Sequence, residues 1–198
     1  MPVRKGSRTK ARIRAIDVLF EADERYGGYG PGQLSEVLRH RKEMTAAQTP
    51  LPPYAVEIVE GIIQNLAEVD TSIMAHSTRD WQRLPSVDRS ILRIAAWEIM
   101  CNPEVDGAVA IAEAVGIADT LSSADAPAFI NAVLDKVYKD HLANPKPLKA
   151  KATAAQAETN FETDDAGFIS LPVSDLEEEK ETGDFDFQAA YDSEYIDD

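Results

Sequence analysis

Six cations, Arg4, Lys5, Arg8, Lys10, Arg12 and Arg14, stand within the opening stretch MPVRKGSRTKARIR, with no acid among them. The surrounding chain of 198 residues is acidic, with a formal net charge of −15. A local density of positive charge against that background is the electrostatic footprint of a polyanion binder, most simply one for nucleic acid. On a helix Arg4, Arg8 and Arg12 recur at i, i+4 and i+8, and Lys10 and Arg14 form a second i, i+4 pair. Like charges at that spacing oppose an isolated helix, so the arm is expected to fray when free and to order on phosphates. Five or six cations on single-stranded RNA predict a salt slope of about −4. The bland alternative is a solubilising terminus with no specific ligand.

Catalytic constellations are hard to find. His40, His76 and His141 lie far apart, with no spacing that suits a metal. The GGYGPG run at residues 27–32 lacks the Lys-Ser/Thr that completes a phosphate loop and reads as a turn between helices. Glu98 and Glu113 fall inside apolar helices and are read as buried structural acids, bonded to a helix end or to an arginine such as Arg93. Nothing here points to an enzyme, a metal or a cofactor. A second binding surface is offered by SSADAPAFINAVLDKVY. There Asp125 is placed to cap a helix and Phe129 follows one turn later, where an aromatic ring can stack on an unpaired base. The same Phe129 also suits plain core, and Asn131 is expected to satisfy neighbouring backbone.

The elements that must position these residues are helical almost throughout. Ile13, Ile16, Leu19 and Phe20 give one stripe that the glycine run ends. Residues 33–44 form a shorter helix with Leu34, Val37, Leu38 and Arg41. Pro53 starts a third helix, whose apolar face is read as Val56, Val59, Ile63, Leu66 and Ile73. Ser77 to Pro85 breaks the pattern. Ser86 is placed as the N-cap of a helix over 87–101 that Asn102-Pro103 stops. Two more follow, over about 108–121 with Ile111, Val115 and Ala118, and over about 126–142. Strand alternation is absent, so the expectation is an all-α bundle of six or seven helices.

Charge and composition divide the chain. Residues 1–14 carry +6, residues 150–198 carry −13, and the middle carries −8. The boundaries that follow are a basic arm over 1–14 continuing into the first helix, a helical domain over 7–144, and an acidic tail over 145–198. The tail is too poor in large aliphatics to offset its ordering entropy and is expected to be disordered. A single cysteine, Cys101, excludes an internal disulfide and fits a reducing cytoplasm. No apolar run approaches the ~20 residues of a membrane span, and no continuous apolar segment follows the basic start as in a secretory signal.

Four segments, taken in order, resemble the bacterial NusB antitermination family: SRTKARIRAIDVLFEAD, YAVEIVEGIIQNLAEVDTSI, WQRLPSVDRSILRIAAWEIMCNPEVDGAVAIAEAVGIA and AFINAVLDKV. The combination of basic arm, RxILRIAxxE and FxNxxLD is specific. The resemblance implies a NusB-like fold that binds single-stranded boxA RNA together with NusE, a small-subunit ribosomal protein. It further implies an assembly with NusA, NusG and RNA polymerase that suppresses termination in ribosomal RNA operons. By position, Arg8, Lys10 and Arg12 match the RNA-binding arm, Asp125 and Phe129 match positions near bound RNA, and Asp88 falls where the family meets NusE. Monomer and homodimer are both open. Thr9 stands where relatives often carry a cation, Ala112 where Asn is usual, and Ala132 where Gly is usual. The rival reading is a helical protein-interaction module without specific RNA binding.

Overall fold

The computed structural model describes residues 6–43 and 50–145. These form six α-helices: α1 (Ser7–Tyr26), α2 (Pro31–Glu43), α3 (Pro53–His76), α4 (Ser86–Cys101), α5 (Gly107–Leu121) and α6 (Ala126–Ala143), with a 3-10 turn at Trp81–Arg83. No strand occurs among the described residues, in keeping with the all-α expectation. Arg4, Lys5, residues 44–49 and the acidic tail from residue 146 onward, with its expected disorder, lie outside the described residues.

α4 is the axis of the bundle. It packs against α1, α3, α5 and α6, and every residue from Ser90 to Cys101 is buried. An all-round buried helix needs neighbours that approach closely, and α3 provides one at Gly61. A Cβ there would lie 2.2 Å from the indole of Trp97, so only glycine admits the ring. One turn further, Asn65 departs from helical geometry (φ −127°, ψ 21°), and its side-chain amide donates to the Gly61 carbonyl at 2.9 Å. The amide thus satisfies a backbone acceptor inside the bend.

Several faces differ from the apolar stripes read in the sequence. On α1 the buried side is Ala11, Ala15, Ile16, Val18, Leu19 and Ala22, whereas Phe20 is exposed. On α3 Ile58 and Ile62 are fully buried, while Val56 and Ile63 are half-buried. On α5 Ala110, Ala114 and Ile117 replace Ile111 and Val115 on the inner side. The reason is common to α1 and α5. Alanines make up much of the buried side of each, so the largest residues do not mark the face. Asn131 is exposed on α6 rather than placed within the apolar row.

Candidate nucleic-acid interface

α1 begins at Ser7, so Arg8, Lys10, Arg12 and Arg14 all lie on regular helix. Acids offset part of the repulsion expected to fray them: Glu98, Glu113 and Glu104 from beyond α1, and Asp17 within it. Arg12 is the clearest case. It is 4% exposed, its Nε donates to both carboxylate oxygens of Glu98 at 2.9 and 3.1 Å, and Nη1 donates to Glu113 at 3.1 Å. Tyr54 adds a short hydrogen bond from its hydroxyl to Glu98. Burial alone would lower the Arg12 pKa, but the charge and hydrogen bond of Glu98 outweigh it and hold the guanidinium charged. Arg12 is therefore a structural cation, not one free to meet phosphate. Glu98 is buried on an arginine, as its setting suggested, but that arginine is Arg12. Arg93 instead holds Asp70 through Nε and Nη2 at 2.7 and 2.8 Å.

The other arm residues face outward. Lys10 is exposed, and Arg8 lies over the Tyr54 ring at 5.4 Å with Glu104 3.9 Å away. Arg14 is half-buried and pairs with Asp17 at 3.1 Å. Thr9 donates to Glu113 at 2.7 Å, which joins its hydroxyl to the same buried network.

A second cluster lies at the opposite end of α4. Asp125 does not cap α6, since its backbone is helical (φ −93°, ψ −11°) and its side chain makes no cap bond. Its exposed carboxylate instead accepts from Arg79 Nη2 and from Ser123 Oγ, each at 2.7 Å. The Ser123 bond, then Arg79, hold this carboxyl below the usual range. Arg79 also lies over the Phe129 ring, 4.3 Å from its centroid. Asp125 and Phe129 are thus brought together by an arginine that sequence reasoning missed. Arg79 sits in the irregular Ser77–Pro85 stretch, where no periodicity marks it.

Asp88 is fully buried. Ser122 Oγ donates to Oδ1 at 2.5 Å, and Oδ2 has no hydrogen-bond partner among the described residues. The carboxylate lies in the first turn of α4, where the helix dipole favours a negative charge. Its side chain is not on a surface a partner can touch. Ser86 does not cap α4 either: Pro85 takes that position, and the Ser86 hydroxyl donates to Glu24 at 2.8 Å.

Residues 9–139 match the model of the NusB family. The chain belongs to the NusB family. Among curated relatives, the transcription antitermination protein NusB of Corynebacterium jeikeium is 44% identical over 140 residues, 69% of this chain and 68% of that protein. The NusB of Arthrobacter sp. strain FB24 is 44% identical over 138 residues, 68% of this chain and 94% of that protein. The solved structure of T. maritima NusB is 27% identical, with a TM-score of 0.54 over 69% of this chain and 94% of that one. A crystal structure of the antitermination factors NusB and NusE in complex with dsRNA shares the fold at 24% identity, with a TM-score of 0.52 over 67% of this chain and 96% of the matched one. The function of the chain is that of the NusB family, transcription antitermination. The NusB match opens at Thr9 and closes before the tail, so Arg4, Lys5, Arg8 and the acidic segment lie beyond it. No described helix is long and apolar enough to cross a membrane.

Proposed function

We propose that this NusB-family chain acts in antitermination by holding single-stranded boxA RNA jointly with NusE, as a binding protein without catalytic chemistry. The observation that carries the reading is the pair of exposed cations, Arg8 and Lys10, held on the first turn of a helix that Arg12 locks into the core. Positioning through a buried neighbour lets the outer cations meet phosphates from a fixed base. Arg4 and Lys5 extend the same patch in sequence, giving a working set of four.

Two contact regions then share the RNA. Arg12 meets Glu98 near the end of α4, whereas Ser122, three residues before Asp125, meets Asp88 at its start. These α4 positions are ten residues apart, or about 15 Å at 1.5 Å per residue. Arg8 lies one helical turn further out, so the regions are separated by about 20 Å. NusE enlarges the RNA-binding surface, and NusA, NusG and RNA polymerase complete a cytoplasmic assembly. A homodimer that covers Arg8 and Lys10 is a resting form consistent with this arrangement. Because Asp88 is buried, NusE meets residues around it rather than its carboxylate.

Titration of labelled boxA RNA with and without NusE tests the proposal. NusE should tighten binding, and the combined Arg8→Ala and Lys10→Ala variant should weaken it. With four working cations, the salt slope should be about −3 rather than −4. RNA binding indifferent to both NusE and the double variant would leave only a helical protein-interaction module.

A further inference from the structure

The Arg79–Phe129 pair raises a question that the RNA-binding reading leaves open: which flat group an unpaired base meets at this corner. Phe129 has the right chemistry but not the exposure. It is 8% exposed and carries a guanidinium over its ring face. The Arg79 side chain above it is 39% exposed.

Arg79 is also held in place. Its backbone N–H donates to Ser77 Oγ at 3.1 Å, and Ser77 Oγ donates back to the Arg79 carbonyl at 2.8 Å, which pins the loop. At the other end, Asp125 grips Nη2, and Ser123 in turn orients Asp125. The Asp125 carboxylate is itself well exposed, and exposed ion pairs add little to stability. Holding a long side chain over a ring with an ion pair, on a loop whose backbone is itself pinned, is poorly explained by stability alone.

Arg93 provides an internal comparison. Its guanidinium lies over two rings, Tyr29 at 4.5 Å and Trp81 at 5.0 Å, and it is buried. Arg79 lies over the single ring of Phe129, and its side chain is open to solvent. Guanidinium planes accept unpaired bases as aromatic rings do.

We infer that Arg79 is the base-stacking platform of this corner, with Phe129 as its backing layer and Asp125 as its clamp. The ligand is one unpaired nucleobase of a single-stranded RNA, so the inference rests on the RNA-binding reading above. Such a platform recognises the plane of the base. It rejects duplex, whose base faces are already covered by their neighbours.

The test is an abasic scan. Full-length chain is titrated with single-stranded boxA RNAs that each lack one base, for wild type, Arg79→Ala and Arg79→Lys. Loss of a stacked base is worth about 5- to 150-fold in affinity. In wild type, one position should show a loss in that range. Both variants should bind intact RNA correspondingly more weakly and should become insensitive to base removal at that position. Lysine keeps the charge but not the plane, so it should behave like alanine, and thermal melts should confirm that both variants are folded. Arg79→Lys binding like wild type, or an abasic profile unchanged by Arg79→Ala, overturns the inference and leaves Arg79 as a phosphate contact or a loop staple. Failure of wild type to bind any of these RNAs, with or without NusE, would instead overturn the RNA-binding reading itself.

Discussion

Replacing Arg12 with alanine should destabilise the fold first and weaken RNA binding only as a consequence. The guanidinium is 4% exposed and its main partner Glu98 is 1% exposed, so the substitution leaves a buried carboxylate without its counter-charge. Removing one partner of a buried ion pair costs about 3–5 kcal/mol. The Tyr54 hydroxyl still donates to Glu98, and Glu113 is 30% exposed and can turn to water, which places the loss near the lower end, about 3 kcal/mol. For a domain of this size each kcal/mol lowers Tm by about 4 °C, so a fall of about 10–15 °C is expected. Urea and thermal denaturation measure it. Arg8→Ala is the control, because its side chain is 58% exposed and its stability change should stay within about 0.5 kcal/mol. Below the variant's melting range, Arg12→Ala should leave the salt slope of RNA binding unchanged, whereas Arg8→Ala should flatten it by about 0.7. Replacing both Arg12 and Glu98 by Met should cost less than Arg12→Ala alone, since no buried charge is then stranded between them. An Arg12→Ala protein as stable as wild type, with a slope flattened by about 0.7, would refute the reasoning and return Arg12 to the phosphate contacts.

Two further predictions concern packing and titration. Gly61→Ala places a Cβ 2.2 Å from the Trp97 ring; despite the better helix propensity of alanine, overpacking should cost about 1–3 kcal/mol, read by denaturant melts followed through tryptophan fluorescence. The Asp125 carboxyl should titrate below the ordinary aspartate range by NMR, with Ser123→Ala moving it back more than Arg79→Ala. Because its folded pKa is depressed, whatever stability Asp125 adds is complete above the ordinary aspartate range and is lost as pH falls through the depressed midpoint.

Much of this was legible in the sequence because it depends on local pattern. Helical periodicity, the glycines after Tyr26 and the Asn102-Pro103 stop act through the backbone and identify α1 and α4 without knowledge of their neighbours. The faces were harder to read. Counting large residues puts Phe20 on the inside of α1, although it is exposed, because much of the buried side is made of alanines, Ala11, Ala15 and Ala22, which carry little hydropathy signal. Two polar residues carried a signal that charge concealed. Arg12, Ile16 and Leu19 fall at i, i+4 and i+7, and Asp88, Ile91, Leu92 and Ala95 at i, i+3, i+4 and i+7, so both lie on buried stripes.

The sequence by itself determined that the chain is helical, that its cations gather at one end, and that it resembles the NusB family, because composition and spacing are properties of the chain. The tertiary structure decided which of those cations is free. A guanidinium is a surface group or a core group according to whether a carboxylate meets it, and the acids that meet Arg12 lie 86 and 101 residues away, on α4 and α5. The same holds for Arg79, whose partner Asp125 is 46 residues distant. No local pattern encodes pairings over such separations, which arise only when the helices pack.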